Sequence, residues 1–125
     1  MELAQYFKSV LEEDKSAVVI CNLDHRIIYM NPTACEQYKK YGGAKLLGNS
    51  LLDCHPSQAN EMIFKVVEWY KENKENRRMH TFYNEKQNKD VYMVALRDEE
   101  GELIGYYEKH EYRNRDMEPM YQFES

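Results

Sequence analysis

Five short strand-like runs, divided two and three by one long amphipathic stretch, constrain the fold of this chain more than any other feature. Residues 17–21 (Ala-Val-Val-Ile-Cys) are rich in β-branched side chains, which suit a pleated, half-buried surface. Asn22-Leu23-Asp24-His25 supplies turn residues, and 26–30 returns as the second strand of a hairpin. Asn31-Pro32 stops that strand, because proline cannot donate to a ladder and suits the first turn of a helix. A short helix is expected over 33–41, ended by Gly42-Gly43. Over 57–73, Ala59, Met62, Ile63, Val66, Val67 and Tyr70 share one helical face, with Trp69 at its edge and Phe64 off it. Three strands follow over 78–83, 91–97 and 103–112, the last two joined by a turn at Asp98-Glu99-Glu100-Gly101. Strands, then helices, then strands imply an α+β fold: a five-stranded antiparallel sheet with helices on one face.

An N-terminal amphipathic helix precedes this sheet. Leu3, Tyr6, Phe7, Val10 and Leu11 recur at helical spacing over 2–13, while Glu2, Lys8, Ser9 and Glu12 face away. A stripe this regular must be buried against something, either the exposed face of the sheet or a second copy of the chain. The strands do not alternate cleanly between apolar and polar residues, as expected of a sheet covered on both faces.

Bulk properties narrow the function. A chain of 125 residues is the size of one domain with one core. Its formal charge of −5 and the lack of any basic run beyond Arg77-Arg78 argue against nucleic-acid binding, which needs a basic face to neutralise phosphates. No run approaches the roughly 18 apolar residues that span a bilayer, and Met1-Glu2-Leu3-Ala4-Gln5 lacks the pattern of a signal peptide, so no membrane partner and a cytoplasmic location are expected. Cys21, Cys35 and Cys54 are odd in number and without C-x-x-C spacing, and read as reduced thiols. The motifs of phosphate-binding loops, nucleophile elbows and metalloprotease helices are missing, so no catalytic residues are assigned. Cys54 and His55 are adjacent and poorly placed to chelate one ion, and His25, His80 and His110 share no ligand spacing, so no metal site is expected.

Three local signatures carry a family resemblance: Ile27 with the strand that ends in Asn31-Pro32, Gly48-Asn49-Ser50-Leu51-Leu52-Asp53-Cys54-His55-Pro56, and the closing hairpin from Arg97-Asp98 through Gly101 to Gly105. In this order they resemble a PAS domain, the small sensory module of bacterial signalling proteins, over roughly 10–112. Asp53-Cys54-His55-Pro56 is also similar to PAS modules attached to hemerythrin-like proteins. The family's usual Asp-Ile-Thr tail is absent near Tyr112-Arg113-Asn114, with Asp116-Met117 a displaced substitute, which puts conventional coupling to an output helix in doubt. The resemblance divides the chain into an N-terminal helix (1–14), a PAS domain (15–112) and a tail or linker (113–125).

The resemblance implies a sensory or interaction module rather than an enzyme, expected to be a homodimer through Leu3, Tyr6, Phe7, Val10 and Leu11, with a small-molecule ligand or a signalling protein as further partner. It places Val19, Cys21, Tyr38, Leu51 and Met62 on a cavity side, together with Val66, Val91, Met93, Tyr106 and His110. That set suits a ligand pocket and a filled core equally. Flavin photochemistry needs a cysteine where Leu51 stands, three residues after Gly48. Haem stays open as a cofactor, with His110 or His55 as axial donor; the plain alternatives are a helix cap for His55 and a polar strand residue for His110. The competing reading is a dedicated binding protein for haem or for an acyl or aromatic metabolite.

Overall fold

The computed structural model describes residues 1–54 and 57–121, apart from the Cys54 side chain. His55, Pro56 and the last four residues of the tail therefore lie outside the described residues. Helix α1 (Leu3–Glu12) leads into β1 (Val19–Asn22) and β2 (Ile27–Met30). Helix α2 (Pro32–Gln37) follows, then 3-10 turns at Lys39–Tyr41, Gly43–Leu46 and Leu51–Cys54. Helix α3 (Ser57–Glu72) precedes β3 (Arg78–Asn84), β4 (Lys89–Arg97) and β5 (Leu103–Tyr112). The sheet is antiparallel throughout, in the order β2-β1-β5-β4-β3, so the first and last strands pair at its centre.

Register fixes what faces the helices. Val19 stands opposite both Met30 and Glu108, Glu108 opposite Met93, and Met93 opposite Met79. Cys21 pairs with Tyr106 in the neighbouring row. Helix α3 lays Ile63, Val66, Val67 and Tyr70 on this face, and with Ala17, Ala34 and Leu46 they form the core. Gly105 sits where β5 crosses β1 most closely: a Cβ there would run into the Cys21 carbonyl.

Two side chains tie the elements together. Asn31 is fully buried; its Oδ1 accepts from Val18 N (3.0 Å) and Ala34 N (2.9 Å), capping α2. Its Nδ2 donates to the carbonyls of Leu11 and Ser16, each at 2.9 Å, so the end of α1 is pinned to the core. Arg97 donates to the carbonyls of Tyr70 (2.7 Å) and Gly101 (3.0 Å), closing the last turn of α3 onto the β4–β5 hairpin.

The N-terminal helix departs from the expectation of a doubly covered sheet. No residue of α1 is buried, and Leu3, Tyr6, Phe7 and Val10 are 57–68% exposed. The outer face of the sheet instead carries a half-buried row, Tyr29, Ile20, Tyr107 and Val94, flanked by ion pairs. There Arg113 bonds Asp90 (2.8 Å), Glu111 pairs with Arg78 (3.0 Å), and Arg78 stacks on Tyr92. The mixed strand patterning therefore comes from aromatic and long charged side chains covering one another, not from a covering helix.

The two sheet edges also differ. The loop before α3 pairs with β2, through Gly48 N to Ile27 O (2.8 Å) and Ile27 N to Asn49 O (2.9 Å). No described strand pairs with the outer edge of β3.

Candidate functional site

A cavity of about 70 Å³ lies between the sheet and the helical layer. Seven of the ten residues expected on its wall are there: Val19 and Cys21 on β1, Tyr38, Leu51, Met62 on α3, Met93 on β4 and Tyr106 on β5. Val66 lines a separate groove between α3 and β3, while Val91 and His110 face each other across β4 and β5, buried on the inner face but off the wall. Ile27, Met30, Leu46, Ile63, Thr81 and Glu108 complete the wall. Glu108 lies between Tyr106 and His110 on the inner face of β5, a position that strand periodicity predicts and that its charge disguised.

One end of the cavity holds a hydrogen-bonded chain. The Tyr106 hydroxyl is 2.8 Å from His25 Nδ1, and the Cys21 thiol also hydrogen-bonds it. Burial, together with the nearby Cys21, pushes the phenol well above its ordinary range. His25 adopts φ +62° at the β1–β2 turn, which aims its imidazole back over the sheet. The ring of Phe64 meets it edge-on at 5.2 Å. Phe64, off the apolar stripe of α3, thus shields the His25–Tyr106 bond.

The opposite end is charged. His110 Nε2 lies 3.0 Å from a Glu108 oxygen. Neither ring nitrogen makes an aligned hydrogen bond among the described residues, although the His110 side chain is only 3% exposed. Lys89 is buried on the same face, its ammonium 5.3 Å from the Tyr112 ring, and burial lowers its pKa against the raising effect of Glu108.

Volume decides what this site holds without rearrangement. Benzene needs a cavity of roughly 150 Å³, about twice the space present, and a porphyrin needs far more. With His110 turned toward Glu108 and off the wall, the residues do not fit haem in this conformation. Leu51 stands on the wall where a flavin-attacking thiol is required. Among the described residues no three His, Cys, Asp or Glu side chains cluster as metal ligands.

The sequence model for the PAS domain matches residues 15–108. The chain belongs to the PAS domain family. Its structure is similar to that of a PAS domain from Colwellia psychrerythraea (TM-score 0.66, 15% identity, 90% of this chain and 98% of that one). It also resembles a sensory box sensor histidine kinase from Vibrio cholerae (TM-score 0.57, 14% identity, 90% and 94% covered) and the PAS domain of Bordetella pertussis BvgS (TM-score 0.57, 14% identity, 90% and 87% covered). No curated protein sequence matches the chain. The PAS fold, a five-stranded antiparallel sheet with helices and a leading helix, is the one the sequence implies, and it marks a sensory signalling module. No helix among the described residues is long and apolar enough to cross a membrane.

The burial of His25 makes this PAS domain sensitive to acid. Burial and then Lys71 lower the His25 pKa below 6.5 in the folded state. The unfolded chain therefore binds more protons just below pH 6.5, and stability falls as pH drops through that window. Melting curves at pH 5.5 and 7.5 are expected to show a lower Tm in acid, with the difference reduced in His25→Asn, which tolerates the positive φ. An unchanged difference in that variant would assign the acid sensitivity to other groups.

Proposed function

We propose that this PAS domain is a cytoplasmic sensory and regulatory module without catalytic activity of its own, acting as a homodimer through α1. A small molecule at the cavity, or a signalling protein on the surface, shifts the packing of sheet against helices, and α1 relays the shift to its partner copy. The observation that carries this reading is the position of α1. Its apolar stripe is exposed, yet its C-terminal end is bonded through Asn31 into the layer that borders the cavity. A sensor histidine kinase among the structural neighbours is in keeping with it.

The test replaces Phe7 and Val10 together by Glu. Light scattering is expected to find a dimer for the native chain and a monomer for the double variant, with the circular dichroism of the domain retained. A variant that stays dimeric overturns the α1 interface. The second reading, a dedicated small-molecule binding protein, is favoured by the cavity's apolar wall with polar groups at both ends. Native mass spectrometry separates the two: extra mass lost on denaturation supports the binding protein, and a clean dimer supports a module that reads protein partners.

A further inference from the structure

The tail carries a second apolar patch, and the fold brings it to the same end of the molecule as α1. Met117, Met120 and Tyr121 are 79–82% exposed, more than the α1 stripe itself. The chain that bears them is tied at two places. Arg113 fastens its root to the outer face of the sheet, through the Asp90 carboxylate (2.8 Å) and the Asn88 carbonyl (2.9 Å). Lys15, three residues beyond the end of α1, then pairs with Glu118 (3.6 Å) and Asp116 (4.0 Å). The end of α1 sits against the same outer face, where the Tyr29 hydroxyl donates to the Glu12 carboxylate at 2.6 Å. Two exposed apolar patches thus flank Lys15. Their size bears on what can cover them. Leu3, Tyr6, Phe7 and Val10 present on the order of 500 Å² at their observed exposure, and the three tail side chains on the order of another 500 Å². Permanent homodimers bury at least about 1,000 Å² per copy, so the α1 stripe alone supplies only about half of what one needs.

We propose that Met117, Met120 and Tyr121 form the other half of the surface through which two copies of this chain associate, the tail of each copy packing on the α1 of the other. This rests on the homodimer reading above and extends its interface. A two-fold dimer meets both needs at once, because whatever one copy's tail gives to the second copy's helix is returned by symmetry. A helix of 10 residues is marginal alone in water, so α1 needs cover along its whole stripe. A second α1 crossing it covers one side, and an extended segment anchored at Lys15 reaches the other. Methionine suits that task, since its unbranched chain fills the irregular gap beside a helix crossing. A lipid surface is the poorer occupant. Glu2, Glu12 and Glu13 around α1 and Asp116 and Glu118 on the tail outnumber Lys8 and Lys15, whereas helices that lie on membranes carry a basic polar face.

The test measures the dimer dissociation constant by sedimentation equilibrium for the native chain and for the triple variant Met117→Ser, Met120→Ser, Tyr121→Ser. All three positions are exposed, so circular dichroism and Tm of the variant are expected to match the native chain. Its dissociation constant is expected to rise by about tenfold or more. A native dimer whose constant is unchanged in the triple variant overturns the tail's part and leaves the α1 interface standing. A native chain that stays monomeric overturns the tail and the α1 dimer together. A second measurement shows where the tail packs. In dimers mixed from methionine-methyl-labelled and unlabelled copies, isotope-filtered NOEs are expected from the Met117 and Met120 methyls to the rings of Tyr6 and Phe7 in the other copy. Contacts to those rings within one copy only would make the tail a cover for its own helix and overturn the proposal.

Discussion

Gly105→Ala is expected to destabilise the domain by about 3 kcal/mol, lowering Tm by roughly 10–15 °C. The added methyl would occupy the place of the Cys21 carbonyl, so β1 and β5 must move apart where they cross. That pairing holds the N-terminal hairpin to the three C-terminal strands, and no other pair of described strands links the two halves. Movement there also displaces Cys21 and Tyr106, which line the cavity. Thermal and urea melts of the variant measure the effect. A loss under about 1 kcal/mol would mean that the two strands separate easily at this point.

Asn31→Ala is expected to cost about 3–4 kcal/mol, since it removes a helix cap and leaves several backbone groups without their partner. The Val18 and Ala34 amides and the Leu11 and Ser16 carbonyls all lose a hydrogen bond to one side chain. Hydrogen exchange separates this from a general loss of stability. The amides of 9–18 should exchange faster than global unfolding explains, because the pin on α1 is gone. Uniform acceleration across the sheet would instead make Asn31 a core residue with no special hold on the helix.

The sequence made much of this architecture legible because its signals are local. The β-branched run before Asn22, the Asn31-Pro32 stop, the stripe of α3 and the Asp98–Gly101 turn each act within a few residues, and each element stands close to its expected place. The 3-10 turns at Gly43–Leu46 and Leu51–Cys54 carry no period, and buried Leu46 shows that tertiary packing holds the first of them. Strand β4 begins at Lys89 rather than 91 because Lys89 and Asp90 look like loop residues. Register places them opposite Tyr112 and Glu111, where the stem of Lys89 is covered and Asp90 bonds Arg113.

The cavity was read less completely, for the same reason. The apolar wall at Val19, Cys21 and Met93 follows from the family pattern, but Glu108 reads as surface until β4 and β1 flank it. The exposure of α1 was not legible either. A stripe such as Leu3, Tyr6, Phe7 and Val10 states that a surface is needed, not which surface.

The pin at Asn31 gives α1 the mechanics of a lever arm. Held near its last turn at Leu11, the helix reaches about 12 Å from that fulcrum back to Leu3. A tilt of about 25° there swings Leu3 sideways through about 5 Å. The hydrogen bonds at the fulcrum need hardly stretch, whereas at the tip the whole apolar stripe is carried sideways by about the width of a side chain.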